Sequence, residues 1–459
     1  MRGFFMPTMM NNMSNIEIDL VIEARWVLPV IPHGQVLERV SVAVKNGAII
    51  EVLPIEQARQ KYSPAQRIEL SEHILIPGLI NLHTHAAMTL MRGLADDVPL
   101  MPWLSEHIWP AEKQLISPRF VRDGTLLGCA EMLAGGITCF NDMYFYPQAT
   151  AEAAIQSGMR ANLGLVVLEF PLPYANDADD YLQKGLEARD SWRGQPLLSS
   201  SLAPHAPYTV SNHTFEKVMT YAEQLGLGIH IHLHETQEEI RQSIEQYGVR
   251  PLRRLADLGI LGPNLVAAHC TCADEADIQM LVEYGCHVAH CPTSNLKLAS
   301  GIAPVAAMVN KHVNVGIGTD GAASNNRLDM FAEMRMAALL AKGITGDATV
   351  VSAAEALQMA TINGARALGM DDKIGSIEID KLADLTAVKI SSPETLPCFD
   401  PISHLVYVLG REHVSHVWVA GDLRYQKHGD QNGIYANIEP AELKEITSLW
   451  QVKLNQFKA

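Results

Sequence analysis

The 459-residue chain has only seven cysteines, an odd number, and no two of them form a CxxC pair. That excludes a disulfide framework and predicts a reduced, cytoplasmic protein. Positive charge is scarce too: 35 Lys and Arg stand against 51 Asp and Glu, a formal net charge of −16. Such a surface repels nucleic-acid backbones and anionic membranes, which leaves a small molecule as the expected partner. No run of about 18 apolar residues occurs, so no helix is expected to cross a membrane. No GxGxxG or P-loop follows any strand-like run, which argues against an open dinucleotide-binding sheet. The opening "MRGFFMPTMMNNMSN" lacks both a sustained apolar segment and a small-residue cleavage site. It reads as a disordered extension over residues 1–15 and not as a signal peptide.

What remains is an ordinary globular balance, 48% hydrophobic and 19% charged. At about 150 residues per domain the length suggests roughly three domains, but α/β barrels run to about 250 residues as one. One large domain with a smaller companion is therefore expected. Residues 16–76 read as short strands, "IDLVIEARWVLPV" and "RVSVAVKNGAIIEVLP", the second with an Asn46-Gly47 turn. The texture returns over 371–459 in "SIEIDKLADLTAVKI" and "HVSHVWVAGDLRYQ". The two ends are expected to meet in one small β-sandwich domain.

Residues 77–370 alternate differently. Eight apolar runs, "HILIPGLINLHTH", "GITCFNDMY", "RANLGLVVLEF", "LLSSSLAPHAPY", "LGIHIHLHET", "NLVAAHCTC", "CHVAHCPTSN" and "VNVGIGTDG", are mostly separated by helical patterns. This predicts a (β/α)8 barrel of the TIM type. Six runs carry His or Asp at or near the C-terminal end: His83 and His85, Asp142, His205, His232, His269 and Asp320. In a barrel those ends open onto one face, where catalytic groups are built.

His83 and His85 sit one residue apart on a strand and so share a face. Imidazole nitrogens with an Asp oxygen suit Zn²⁺ or Fe²⁺, and an HxH closing the first strand, an HxHxHE on the fifth and a GTD on the eighth predict one metal site. His230, His232 and His234 also share a face by alternation. His230 lies deeper and His234 at the rim, which makes His232 the expected ligand. Glu235 follows as the chain leaves the strand, placed as a general acid or base; its bland alternative is a solvated carboxylate opening a helix. A divalent ion at an open site lowers the pKa of its water from about 15.7 toward 7, so metal-assisted hydrolysis is the expected reaction class. Asp320 and His269 are placed to hold or orient that water and Glu235 to pass a proton.

"PGLINLHTH", "HxHE" and "GTDG", with "NGARALGM" and "GSIEIDKLADL" after the barrel, resemble the amidohydrolase superfamily over nearly the whole chain after residue 16. One departure is Asp380-Lys381-Leu382, where the family often has Gly-Lys before "ADL". The fourth run offers no Lys to bridge two metals, which is consistent with a single ion. Within the superfamily, "HTHAAMTLMRGLADDVPLMPWL" and Pro110-Ala111-Glu112 are similar to the 5'-methylthioadenosine/S-adenosylhomocysteine deaminase family. The resemblance implies His83, His85, His232 and Asp320 as ligands of one divalent ion, Zn²⁺ ahead of Fe²⁺. It further implies Glu235 and His269 in proton transfer, Glu112 on the ribose hydroxyls, His205 against the nucleoside, and a homodimer by family habit.

The implied reaction converts the 6-amino group of an adenine nucleoside to the inosine analogue with release of ammonia. A homocysteine tail would bring a carboxylate that usually calls for Arg, and Arg160 stands at the wrong end of the third run. 5'-Methylthioadenosine is therefore expected ahead of S-adenosylhomocysteine. The rival readings are an aminohydrolase of a free base or heterocycle (guanine, an oxidised purine, a pterin, cytosine, a triazine), a cyclic-amide hydrolase, and an inactive metal-binding scaffold. Trp103 and Met101 are candidate lid residues with core packing as their default. His290, Ser294 and Asn295 either line the pocket or form a buried turn. Cys270, Cys272 and Cys291 read as small core residues.

Overall fold

The computed structural model describes residues 15–427 and 433–458. Apart from Asn15, the expected extension lies outside them. The strands run in chain order β1 Ile16–Val27, β2 Leu37–Lys45, β3 Ala48–Pro54, β4 Tyr62–Pro77, β5 Leu79–Thr84, β6 Ile137–Tyr144, β7 Arg160–Val167, β8 Leu198–Pro204, β9 Gly228–Leu233, β10 Leu265–His269, β11 His287–His290, β12 Asn314–Ile317, β13 Leu385–Lys389, β14 Val414–Val419, β15 Asp422–Gln426 and β16 Ile434–Tyr435. Strands β5 to β12 form an eight-stranded sheet in sequential order, each pairing parallel with the next. Every expected barrel run holds one of these strands.

The sheet closes between β12 and β5, where the Asp320 amide donates to the His83 carbonyl at 2.9 Å and the Thr319 amide to Asn81 Oδ1 at 2.9 Å. Closure depends on Gly318, because a Cβ there would sit 2.7 Å from the His83 nitrogen. The first run divides between two sheets at Gly78, whose missing side chain leaves room for Thr138 Oγ1, 2.1 Å from where a Cβ would stand.

The remaining strands form one mixed sheet in the order β16-β15-β14-β13-β4-β1-β2-β3, with β1 and β4 its parallel pair. Strands from both ends of the chain thus share one sheet. The sheet curls on itself, so that Trp418 from β14 shares a core with Leu20, Ile22 and Val42. The Ala383 amide donates to the Gly47 carbonyl across the fold. Buried Arg160 joins this sheet to the barrel through a bidentate pair with Asp384, at 3.0 and 3.2 Å. The C-terminal helix Pro440–Lys458 instead lies on the barrel helix Pro118–Ala134, with the Trp450 indole donating to Asp123 at 3.0 Å. Among the described residues no helix is long and apolar enough to cross a membrane.

Candidate metal centre and active site

Four side chains from three strands meet at the C-terminal mouth of the barrel. His83 Nε2 and His85 Nε2 lie 3.4 and 3.3 Å from Asp320 Oδ1, and His232 Nε2 lies 3.3 Å from His85 Nε2. Two of the rings are held from behind. His85 Nδ1 donates to the Met143 carbonyl at 2.5 Å and His232 Nδ1 to the His205 carbonyl at 2.8 Å, which leaves each Nε2 with a lone pair toward the centre. His83 has another imidazole behind it, His230 Nε2 at 2.9 Å from its Nδ1. Its own Nε2 is buried with no hydrogen-bond partner among the described residues. An orphaned nitrogen, two more lone pairs and a carboxylate oxygen fit a divalent ion bound by N and O ligands. The ligating atoms of His83, His85 and His232 lie within 4.8 Å of one another, as do those of His83, His269 and Asp320.

Backbone conformation aims several of these groups. Asp320 and His269 adopt left-handed φ values of 61° and 74°, a cost of the kind that accumulates at functional sites. Asp320 Oδ2 accepts from Ser294 Oγ at 2.6 Å and Ser324 Oγ at 2.9 Å, so that Oδ1 remains on the side of the histidines. His269 Nδ1 donates to Asn295 Oδ1 at 2.8 Å, and its Nε2 lies 3.9 Å from Glu235. Glu235 is 5% exposed, and burial pushes its carboxyl up to about 7 against the opposing pull of His269. It is no solvated surface carboxylate.

Two expectations need correction. His234 does not stay on the face of His230 and His232: β9 ends at Leu233, and a φ of 52° turns the ring away, where Nε2 accepts from the Leu252 amide. Asp142 does not reach the centre but accepts from the Ala86 amide at 2.7 Å, fixing the chain just after His85. Trp103 and Met101 follow their default of core packing, and Trp103 also borders the cavity above the centre. His290, Ser294 and Asn295 take the buried-turn alternative, and Cys270 and Cys291 are buried.

Above the centre a cavity is bounded by His85, His205, His232, Glu235, His269 and Asp320 on one side. Glu112, 4% exposed, accepts from the Tyr144 hydroxyl at 3.0 Å, and burial pushes it up to about 7. The far wall is apolar, formed by Leu100, Trp103, Ile108, Trp109, Phe170 and Leu172. Among its described lining residues there is no Lys or Arg. His205 Nδ1 lies 3.1 Å from Thr209 Oγ1, and burial lowers this imidazole to about 3, so it stays neutral.

The family model described as the amidohydrolase family matches residues 74–424. The chain belongs to the amidohydrolase family. A 5-methylthioadenosine/S-adenosylhomocysteine deaminase of Teredinibacter turnerae is 49% identical over 405 residues, 88% of this chain and 92% of that protein. A 5'-deoxyadenosine deaminase of Methanosarcina mazei is 42% identical over 412 residues, 89% of this chain and 93% of that one. The crystal structure of a zinc-bound adenosine deaminase from Xanthomonas campestris superposes with a TM-score of 0.94 at 47% identity, covering 96% of this chain and all 100% of its own.

In this amidohydrolase all eight expected site residues (Glu112, His83, His85, His205, His232, Glu235, His269 and Asp320) line the cavity or belong to the histidine–aspartate cluster beneath it. Sequence reasoning missed Tyr144, although it closes the "NDMY" strand end and could have been read from that position. It also missed the hydroxyl pair on Asp320 and the His83–His230 contact, which are visible only once distant loops are brought together.

Proposed function

We propose that this amidohydrolase deaminates adenine nucleosides, 5'-methylthioadenosine ahead of S-adenosylhomocysteine, with one divalent ion, Zn²⁺ ahead of Fe²⁺, on His83, His85, His232 and Asp320. The relatives' names motivate the substrate class. The observation that carries the finer reading is the cavity itself: two buried carboxyls, Glu112 and Glu235, in its lining, and an apolar wall with no cation among its described lining residues. A thiomethyl group fits that wall, whereas a homocysteine carboxylate would be desolvated without a partner. A homodimer acting on small molecules in the cytoplasm completes the reading.

A divalent ion held by His83, His85, His232 and Asp320 would supply Lewis acidity to the site. Asp320 accepts the proton that the attacking water gives up, while Glu235, protonated near neutral pH, delivers its proton to N1 as the oxygen bonds to C6. Asp320 then passes its proton to the amino nitrogen, the C6–N bond breaks and ammonia leaves. Glu235 recovers a proton from the new hydroxyl as the 6-oxo group forms. His269, fixed by Asn295, faces Glu235 and orients the attacking water. Glu112 accepts from the ribose hydroxyls, and His205 lies against the base.

Ultraviolet assays of 5'-methylthioadenosine, S-adenosylhomocysteine, 5'-deoxyadenosine and adenosine, with metal analysis of the same sample, test this reading. The highest kcat/KM is expected for 5'-methylthioadenosine with about one zinc per chain. A higher value for S-adenosylhomocysteine would overturn the tail preference, and turnover of free bases alone would overturn the nucleoside reading.

A further inference from the structure

At the opposite end of the barrel a second cavity of about 500 Å³ opens among the starts of β8 and β9 and the loop before β10. This is the face on which a barrel normally carries stability and not chemistry, and a dry apolar plug is what its packing calls for. The space is polar instead. Arg189, Arg193 and Arg366 line it, and among its described lining residues there is no Asp or Glu. In a chain of net charge −16 such a concentration of one sign is unexpected. Two carboxylates outside this lining sit near the arginines: Asp190 pairs with Arg189 at 3.6 Å, and Glu378, paired with Lys381 at 3.0 Å, is within electrostatic reach of Arg366.

Inside the rim the walls are hydrogen-bonding groups already set in order. Asn162 Nδ2 donates to Asn141 Oδ1 at 2.7 Å and to Ser201 Oγ at 2.9 Å, while Ser199 Oγ donates to Asn162 Oδ1 at 2.9 Å. His230 closes the inner end of the cavity, fully buried at 0% exposure. For His83 Nε2 to offer a lone pair to a metal, His83 must donate through Nδ1 to His230 Nε2, so His230 carries its proton on Nδ1. That Nδ1 has no hydrogen-bond partner among the described residues. A buried donor of this kind is costly unless something accepts from it.

From these features we infer that the N-terminal mouth of the barrel is a second binding site, one for a small oxyanion of the phosphate or carboxylate class. The guanidinium groups of Arg189, Arg193 and Arg366 supply forked donors suited to paired oxygens. The hydroxyls of Ser199 and Ser201 supply neutral contacts farther in, and the His230 Nδ1–H is a donor at the inner end. The site is separate from the substrate cavity, which shares none of these residues.

Calorimetric titration of the full-length, zinc-loaded protein at constant ionic strength tests the inference, with inorganic phosphate and succinate as separate probes. One saturable site is expected for at least one probe. The double substitution Arg193→Gln and Arg366→Gln changes exposed side chains away from the active site. It is expected to weaken that binding at least about tenfold while deamination kcat/KM stays within about twofold. Binding of phosphate alone assigns the phosphate class, and binding of succinate alone the carboxylate class. Failure of both probes to bind would mean a cavity filled by water only. Equal binding by the double variant would place the anion elsewhere, and either result overturns the site.

Discussion

The two mouths of one barrel are built to opposite rules. At the C-terminal mouth, buried carboxyls and imidazoles face an apolar wall with no cation among its described lining residues. At the N-terminal mouth, arginines and hydroxyls surround a polar hollow with no described carboxylate in its lining. The contrast follows from what each end does to water. Burial is what raises the Glu235 and Glu112 carboxyls, so the upper site has to keep bulk water away from them. A polar, cationic space can be tolerated at the lower end because no proton there has to be moved. His83 and His230 join the two regions through a contact of 2.9 Å.

The largest effect that could break this contrast comes from Glu235→Gln. Removing the proton donor while keeping the shape should lower deamination of 5'-methylthioadenosine by about 10²- to 10⁴-fold, with zinc content unchanged. Retained activity would remove the acid role. The same residue sets a pH dependence. Burial raises the Glu235 carboxyl to about 7, so the proton it must deliver is present below that pH and is lost as pH rises through it. Wild-type kcat/KM is therefore expected to fall on the alkaline side with a midpoint near neutrality. A flat profile from about pH 6 to about pH 9 would contradict it.

A smaller effect should come from the second buried carboxyl of that cavity. Glu112→Ala removes a buried carboxyl that the ribose hydroxyls are proposed to meet, and should raise KM for 5'-methylthioadenosine by about 10- to 100-fold. A 2',3'-dideoxy analogue should lose far less, because it has no hydroxyls to present. Tyr144→Phe takes away one hydrogen bond to Glu112 and should reproduce the trend at about tenfold or less. Equal losses for the ribo and dideoxy substrates would show that Glu112 packs the cavity and does not read the sugar.

The fold and the cluster proposed to hold the metal were legible in the sequence because each was written locally. A strand shows its period within a few residues, and His83, His85, His232 and Asp320 stand at the ends of runs whose C-termini a barrel must bring together. Glu112 was legible only through resemblance, since by itself a carboxylate following Pro110-Ala111 reads as an exposed helix residue. What escaped was set by tertiary contact or by a single backbone angle. Strand alternation placed His234 with its neighbours until one left-handed residue turned it out. Asp142 has a ligand's chemistry and a strand-end position, but its oxygen is already occupied by the Ala86 amide. The lower cavity left no signal, because its arginines come from the helix Ala178–Ser191, the loop after it and the helix Ile362–Ala367, which no periodicity links.

The smallest expected effect sharpens the separation of the two ends. Ser199 donates one hydrogen bond, to Asn162 Oδ1, in the wall of the lower cavity, where water can replace it. Ser199→Ala should therefore cost about 1 kcal/mol of stability or less, with a correspondingly small fall in melting temperature. Catalysis should be untouched, because the hydroxyl reaches neither the His83–His230 contact nor any group of the dry cavity. Thermal unfolding and 5'-methylthioadenosine kinetics on the same preparation decide the point. A kcat/KM changed more than about twofold would mean that the floor of the barrel reports to the metal centre through more than that one imidazole contact.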